Sequence, residues 1–309
     1  MKRREFDGVA YFAASDPHDA GPAPKVLLGA VCEHPDEALI HRVLTEVRSL
    51  FIGESGQRRP FEAGIGGTTT SGTTFNGRFE PAYITRTAKR AERRDGGALR
   101  SCSFWLRERV DGSVARTASG LLSRLPEGHL VVNVEFAAEG TAPGEDIAES
   151  ATALLAVLGT NHSALTGYVS LDHDAVSPPL TSPYETWYRQ SVWDWEDGGR
   201  SQTRGYYWTN LMSDGHLARL GGRSDFVRAT AEARLDYVPL GENAVLVRSP
   251  SPVGAFDDGQ LARMKVLLQP VLRPGRYDYY VGPPLRIVRD PGTAFMTDSD
   301  PTRLPDFDD

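Results

Sequence analysis

A chain of 309 residues that is 40% hydrophobic and 24% charged has enough apolar material for a packed core and too ordinary a charge content for a disordered tail or a fibre. Its 41 acidic against 34 basic side chains leave a formal charge of −7, which argues against a general affinity for nucleic acid or anionic membrane and suits a basic partner. No run approaches the roughly 20 apolar residues of a membrane-spanning helix. Glu5 and Asp7 also interrupt the basic start, so no secretory leader is read and the cytoplasm is the expected location.

In chain order, "FDGVAYFAASD" and "KVLLGAVCEH" are short β-type runs separated by the turn-rich "PHDAGPAP", which predicts that they pair as a hairpin with a long loop. Leu39, Ile40, Val43, Leu44, Val47, Leu50 and Phe51 then recur at helical spacing between Pro35 and Gly53, predicting an amphipathic helix. The Gly/Thr/Ser-rich stretch Gly64 to Gly77 reads as a loop, and the basic "ITRTAKRAERRDGGALR" after it as a solvated face or loop. "SCSFWLRERV" and "GHLVVNVEFAAEG" are predicted strands, "GEDIAESATALLAVLGT" a helix stopped at Gly159, and "TGYVSLDHDA" another strand. Residues 178 to 204 are irregular and hold three of the five Trp. Beyond them come a short helix around Phe226, a hairpin turning at "LGEN", and a last amphipathic helix capped by Asp257 or Asp258 and bent or ended at Pro270. The fold class expected is α+β, a mixed and mainly antiparallel sheet with amphipathic helices packed on it. The organisation is an N-terminal half (1–176), an aromatic and acidic connecting loop (177–203), a C-terminal half (204–290) and an acidic tail (291–309), or one continuous domain.

The chain offers few constellations for chemistry. Cys32 and Cys102 lack any metal-ligand or CxxC spacing and read as reduced, packed thiols. The Gly/Thr loop lacks the Lys-Ser or Lys-Thr of a phosphate loop, and there is no HExxH or G-x-S-x-G. In "LDHDA" the strand period sends His173 to the opposite face from Asp172 and Asp174, leaving two acids as the starting point for a metal-dependent hydrolase, with solvated strand-end residues the plainer reading. His216 is an acid/base by chemistry, read as a helix residue with its ring at the surface. The basic run from Lys89 to Arg100 has no interleaved aromatic platform, so no nucleic-acid contact is assigned to it. No cofactor or metal site is assigned. The remaining cluster is "YETWYRQSVWDWEDGG": Trp187, Trp193 and Trp195 among Asp194, Glu196 and Asp197 combine interface-type aromatics with acids, and form the candidate partner-binding patch.

"RGYYWTNLMSDGHLARLGG", Arg204 to Gly222, reads as an aromatic strand, a cap at Ser213 or Asp214, a short helix with Leu217 and Leu220 on one face, and a Gly-Gly stop. Through Trp208, Leu211, Leu217, Arg219, Leu220, Gly221 and Gly222, and the order of elements up to Leu272, it resembles the C-terminal half of the bacterial type VI immunity family and relatives such as the immunity protein 52 family. The resemblance implies a non-enzymatic, cytoplasmic α+β protein that binds and neutralises a cognate toxin, in such families often a nuclease. A basic toxin would suit the acidic balance of this chain. Trp208 and the Gly221-Gly222 stop are assigned to fold integrity.

Overall fold

A computed structural model describes residues 2–6, 9–13, 25–33, 37–52, 61–78, 80–110, 113–125, 128–138, 145–172, 199–256, 258–272, 279–280 and 287–288. The strands are β1 (Lys2–Phe6), β2 (Val9–Ala13), β3 (Lys25–Cys32), β4 (Phe61–Thr69), β5 (Thr74–Arg78), β6 (Leu99–Val110), β7 (Ser113–Arg124), β8 (Leu130–Ala138), β9 (Ala164–Asp172), β10 (Thr209–Ser213), β11 (Asp236–Leu240), β12 (Ala244–Arg248), β13 (Tyr279–Tyr280) and β14 (Ile287–Val288). The helices are α1 (Glu37–Ile52), α2 (Pro81–Asp95), α3 (Glu145–Asn161), α4 (Asp214–Arg219), α5 (Arg223–Glu232) and α6 (Asp258–Leu268).

Ten strands form one antiparallel sheet in the order β11-β12-β10-β9-β3-β8-β7-β6-β4-β5, so the fold is α+β as the hydrophobic periods imply. Strand alternation sorts its side chains onto two faces. On the first, Leu28 and Ala30 of β3, Phe104 and Leu106 of β6, Val132 and Val134 of β8, Leu211 of β10 and Leu246 of β12 meet the apolar stripes of α1 and α3 in the main core. On the second, at one end of the sheet, Met212, Val245 and Val247 meet Leu217, Phe226, Leu261 and Met264 from α4, α5 and α6. At the middle of that face, Leu27, Val31 and Val131 pack with Tyr168 and Tyr207, whose rings stack 4.0 Å apart. Cys32 and Cys102 are free and buried in the main core, where burial pushes each thiol up to about 12. They remain unreactive thiols, as their spacing suggests.

Several sequence expectations give way to tertiary context. β3 does not pair with the β-type run before it: β2 pairs with β1, while β3 is hydrogen-bonded by β8 on one side and β9 on the other. The Gly/Thr-rich segment is not a loop but the hairpin β4–β5. Its glycines are spaces that aromatic rings occupy: a Cβ on Gly64 would lie 2.4 Å from the Trp105 indole, and one on Gly67 would lie 2.5 Å from the Phe75 ring. The cross-strand rings recover packing that a glycine strand otherwise lacks. The basic stretch is the helix α2, opened by Pro81 and closed by Gly96 in the left-handed conformation, φ 69°. Residues 113–124, for which no element is expected from sequence, form β7, paired with β6 and β8. α3 runs on past Gly159, which is an interior position where a Cβ would meet Leu211 and Leu240.

Candidate functional site

The stretch from Arg204 to Gly222 is assembled almost wholly as scaffold. Tyr206, Tyr207 and Trp208 are buried ahead of β10, which begins only at Thr209. The Trp208 indole N–H donates to the Ser251 carbonyl at 2.7 Å, and the Arg248 guanidinium sits 5.7 Å from the ring centre. The Asn210 side chain bridges the backbone of Tyr207, accepting from its N–H at 3.1 Å and donating to its carbonyl at 2.9 Å. This resembles a local turn built from side-chain amide groups. Gly221 and Gly222 take φ of 88° and 91°, and the Gly222 N–H returns to the Leu217 carbonyl at 2.7 Å, closing α4.

His216 is not at the surface. It is fully buried, and its Nδ1 accepts the Ser213 backbone N–H at 3.2 Å, with the Ser213 hydroxyl oxygen 3.0 Å away. The ring therefore takes the place that Glu or Gln holds in a capping box, satisfying an orphan donor at the start of α4. Burial lowers its pKa to about 4; the backbone at Gln202 opposes the fall and the charge of Arg219 adds to it. The imidazole is neutral at physiological pH and, with Nδ1 accepting, carries its proton on Nε2. The sequence placed the ring outside because the helix period alone does not show that residues 199–203 pack over α4. Those residues lie close: a Cβ on Gly215 would fall 2.2 Å from the Arg200 carbonyl, and Arg219 donates to the Ser201 carbonyl at 3.2 Å.

Trp187, Trp193, Asp194, Trp195, Glu196 and Asp197 lie outside the described residues, as do His173 and Asp174. Asp172 ends β9 opposite Lys25. Among the described residues no group of three or more His, Cys, Asp or Glu side chains is placed to hold a metal ion, and no helix is long and apolar enough to cross a membrane.

Two exposed surfaces lie at the other end of the sheet. On the second face, Trp105 of β6 is 45% exposed, lying over Gly64 with the Arg107 guanidinium 5.8 Å from its ring. On the first face, α2 packs against α1, and between them runs a groove lined by His41, Arg42 and Thr45 from α1 and by Ala82, Thr85, Arg86 and Lys89 from α2. The outer side of α2 forms a second concavity with Tyr83, Arg90, Arg93 and Arg94. Among the described side chains of this helix, Ile84 is buried. The sequence held a signal for it that composition obscured: Pro81 and Gly96 stand at the two ends of a segment in which basic residues recur at intervals of three and four.

No family model matches the chain, and no curated protein matches it. Among solved structures, the Pseudomonas aeruginosa T6SS protein PA0821 shares its fold, with a TM-score of 0.52, 11% sequence identity, and a match covering 81% of this chain and 76% of that one.

Proposed function

We propose that this is an immunity-type protein of a type VI secretion context, which acts in the cytoplasm by binding and neutralising a cognate toxin rather than by catalysing a reaction. The observation that carries the reading is the fold held in common with a T6SS protein over most of both chains. It agrees with the resemblance borne by Trp208, Leu211, Leu217, Arg219, Leu220, Gly221 and Gly222, residues that build the end of the sheet where that resemblance is strongest. The buried histidine is held at a structural post, so it adds no reason to propose catalysis.

The contact patch proposed for a basic toxin, a nuclease among the candidates, is Trp187, Trp193, Asp194, Trp195, Glu196 and Asp197. Aromatic anchors supply area, and acids steer association. The test is co-expression with the toxin encoded by the neighbouring gene. Protection of the cell and co-purification of a stable complex are expected, both weakened by combined replacement of Trp193 and Trp195 with Ala. Co-expression that neither protects nor yields a complex overturns the reading. Asp172→Ala with Asp174→Ala is expected to leave protection intact; loss of protection in a folded double variant would favour a metal-dependent hydrolase instead.

A further inference from the structure

α2 carries charge opposite in sign to the net charge of the chain. The chain has 41 acidic and 34 basic side chains, yet this one helix holds Arg86, Lys89, Arg90, Arg93 and Arg94 against Glu92 and Asp95. All five cations are exposed, and their spacing of three and four residues stacks them along one stripe of about two helical turns. Like charges at this spacing destabilise a helix. The macrodipole repays Arg93 and Arg94, in the last turn, but it does nothing for the cations earlier in the helix. The macrodipole therefore accounts for only part of the stripe.

The groove beside it has the features of a seat. Its walls carry Arg42 and Arg86, whose acidic neighbours Glu46 and Glu80 lie at 3.4 Å and 3.1 Å in solvent-exposed pairs, the kind that exchange at little cost. Its lining includes Thr85, whose hydroxyl is buried without a hydrogen-bond partner.

We infer that the groove between α1 and α2, with the cationic stripe along its rim, is a docking site for an acidic segment of a partner protein, rich in Asp and Glu. Carboxylates on that segment pair with Arg42, Arg86 and Lys89. Further acidic side chains reach Arg90 and Arg93. The charge distribution decides the class of partner. Five cations along about two turns of one helix match a short acidic segment, and the net charge of −7 opposes a polyanion that runs on beyond them. The inference rests on the binding-protein reading above only in taking the partner to be a protein, and it adds a second surface of opposite sign to the proposed Trp and acid patch.

The test uses a fluorescein-labelled oligoglutamate peptide, followed by anisotropy against the full chain at low and near-physiological salt, with a duplex DNA of matched charge and phosphatidylserine vesicles alongside. Saturable peptide binding is expected, weakened at least about tenfold by Arg86→Glu, Arg90→Glu and Arg93→Glu combined. Arg228→Glu, an exposed reversal on α5, should leave it unchanged. If the triple reversal does not fold by circular dichroism, Arg90→Gln with Arg93→Gln removes charge without adding acids and should still weaken binding severalfold. Equal binding by the folded variants, or tighter binding of DNA or vesicles than of peptide, overturns the inference. So does peptide binding that disappears because the chain self-associates through this face in sedimentation. The outcomes separate from those of co-expression: lost peptide binding with intact protection removes only the groove, and lost protection with intact peptide binding removes only the immunity reading.

Discussion

The two ends of the ten-stranded sheet are built on different principles. At the β10–β12 end both faces are covered, by α3 on one side and by α4, α5 and α6 on the other, and even the polar groups are turned to structural ends: Asn210 to a backbone turn, His216 to a cap, the Trp208 N–H to a carbonyl. At the β4–β7 end the second face displays Trp105 beside Arg107, and the first carries a helix that buries Ile84 and exposes five cations. The lesson is that the stretch richest in conspicuous residues holds the fold together, while the compositionally plain Gly/Thr and Arg/Lys stretches frame the surface free to meet a partner. Substitutions should divide accordingly, with stability failing at the first end and binding at the second.

The largest effect is expected at Trp208. Replacing it with Ala removes one of the largest buried side chains, leaves the Ser251 carbonyl without its donor and takes the ring from beside Arg248, at a cost of about 3–5 kcal/mol measured by chemical denaturation. A loss below about 1 kcal/mol would mean that this end tolerates collapse and that the contrast between the ends is overstated.

His216 tests the same end through pH. Its ring titrates near 6.5 when the chain is unfolded and near 4 in the fold, so between those values the unfolded chain binds the extra proton and the native one does not. Stability is therefore fully present above pH 6.5 and falls as the pH drops toward 4, by up to about 3 kcal/mol from this group. Thermal melts of His216→Gln should show a shallower acid slope across this window, with a lower starting stability at pH 7. An unchanged slope would move the acid sensitivity elsewhere.

Gly120 brings the comparison to the other end. Its Cβ would fall 2.4 Å from the Phe104 ring and 2.7 Å from the Asn133 carbonyl, so Gly120→Val forces β7 away from its neighbours β6 and β8 and should cost about 1–3 kcal/mol by chemical denaturation. That loss belongs to the sheet itself, and it would show that the exposed end is open at its surface without being loose inside.

How much of this is legible in sequence follows from which features are local. α1 and α3 declare themselves through apolar residues at helical spacing, and the β11–β12 hairpin through two β-type runs about a short turn, because each carries its own period. β4 and β5 are hidden because a glycine-rich strand has no side-chain period of its own; the packing comes from Trp105 and Phe75, across the sheet. β3 misleads in another way: it is a central strand whose partners begin about a hundred residues later, while a nearer β-type run invites the wrong pairing. The groove escapes a linear reading for the same reason, since Arg42 and Arg86 are brought together only when α1 and α2 pack. The basic stretch at 84–100 reads from sequence as a solvated face or loop; its cations are exposed, but on a helix. What the sequence did not disclose is that the cations fall in one stripe on a helix, because charge dominates the segment and its apolar residues are few and mostly small.

The smallest stability effect is expected where the binding effect is largest. Arg90 and Arg93 are exposed, and neutralising both as Gln relieves like-charge repulsion along the helix while sacrificing the favourable placement of Arg93 near its C-terminus. The two changes oppose each other and each amounts to a few tenths of a kcal/mol, so denaturation midpoints should move within about 0.5 kcal/mol of the parent chain. Set beside Trp208→Ala, this variant asks whether stability and binding are separable on one sheet. If Arg90→Gln with Arg93→Gln destabilised the fold by more than about 1 kcal/mol, the stripe would be part of the scaffold, and the two ends would differ in composition but not in kind. A silent change in stability with weakened peptide binding would instead mark α2 as a helix whose surface is shaped by what it meets, against the modest preference of its own backbone.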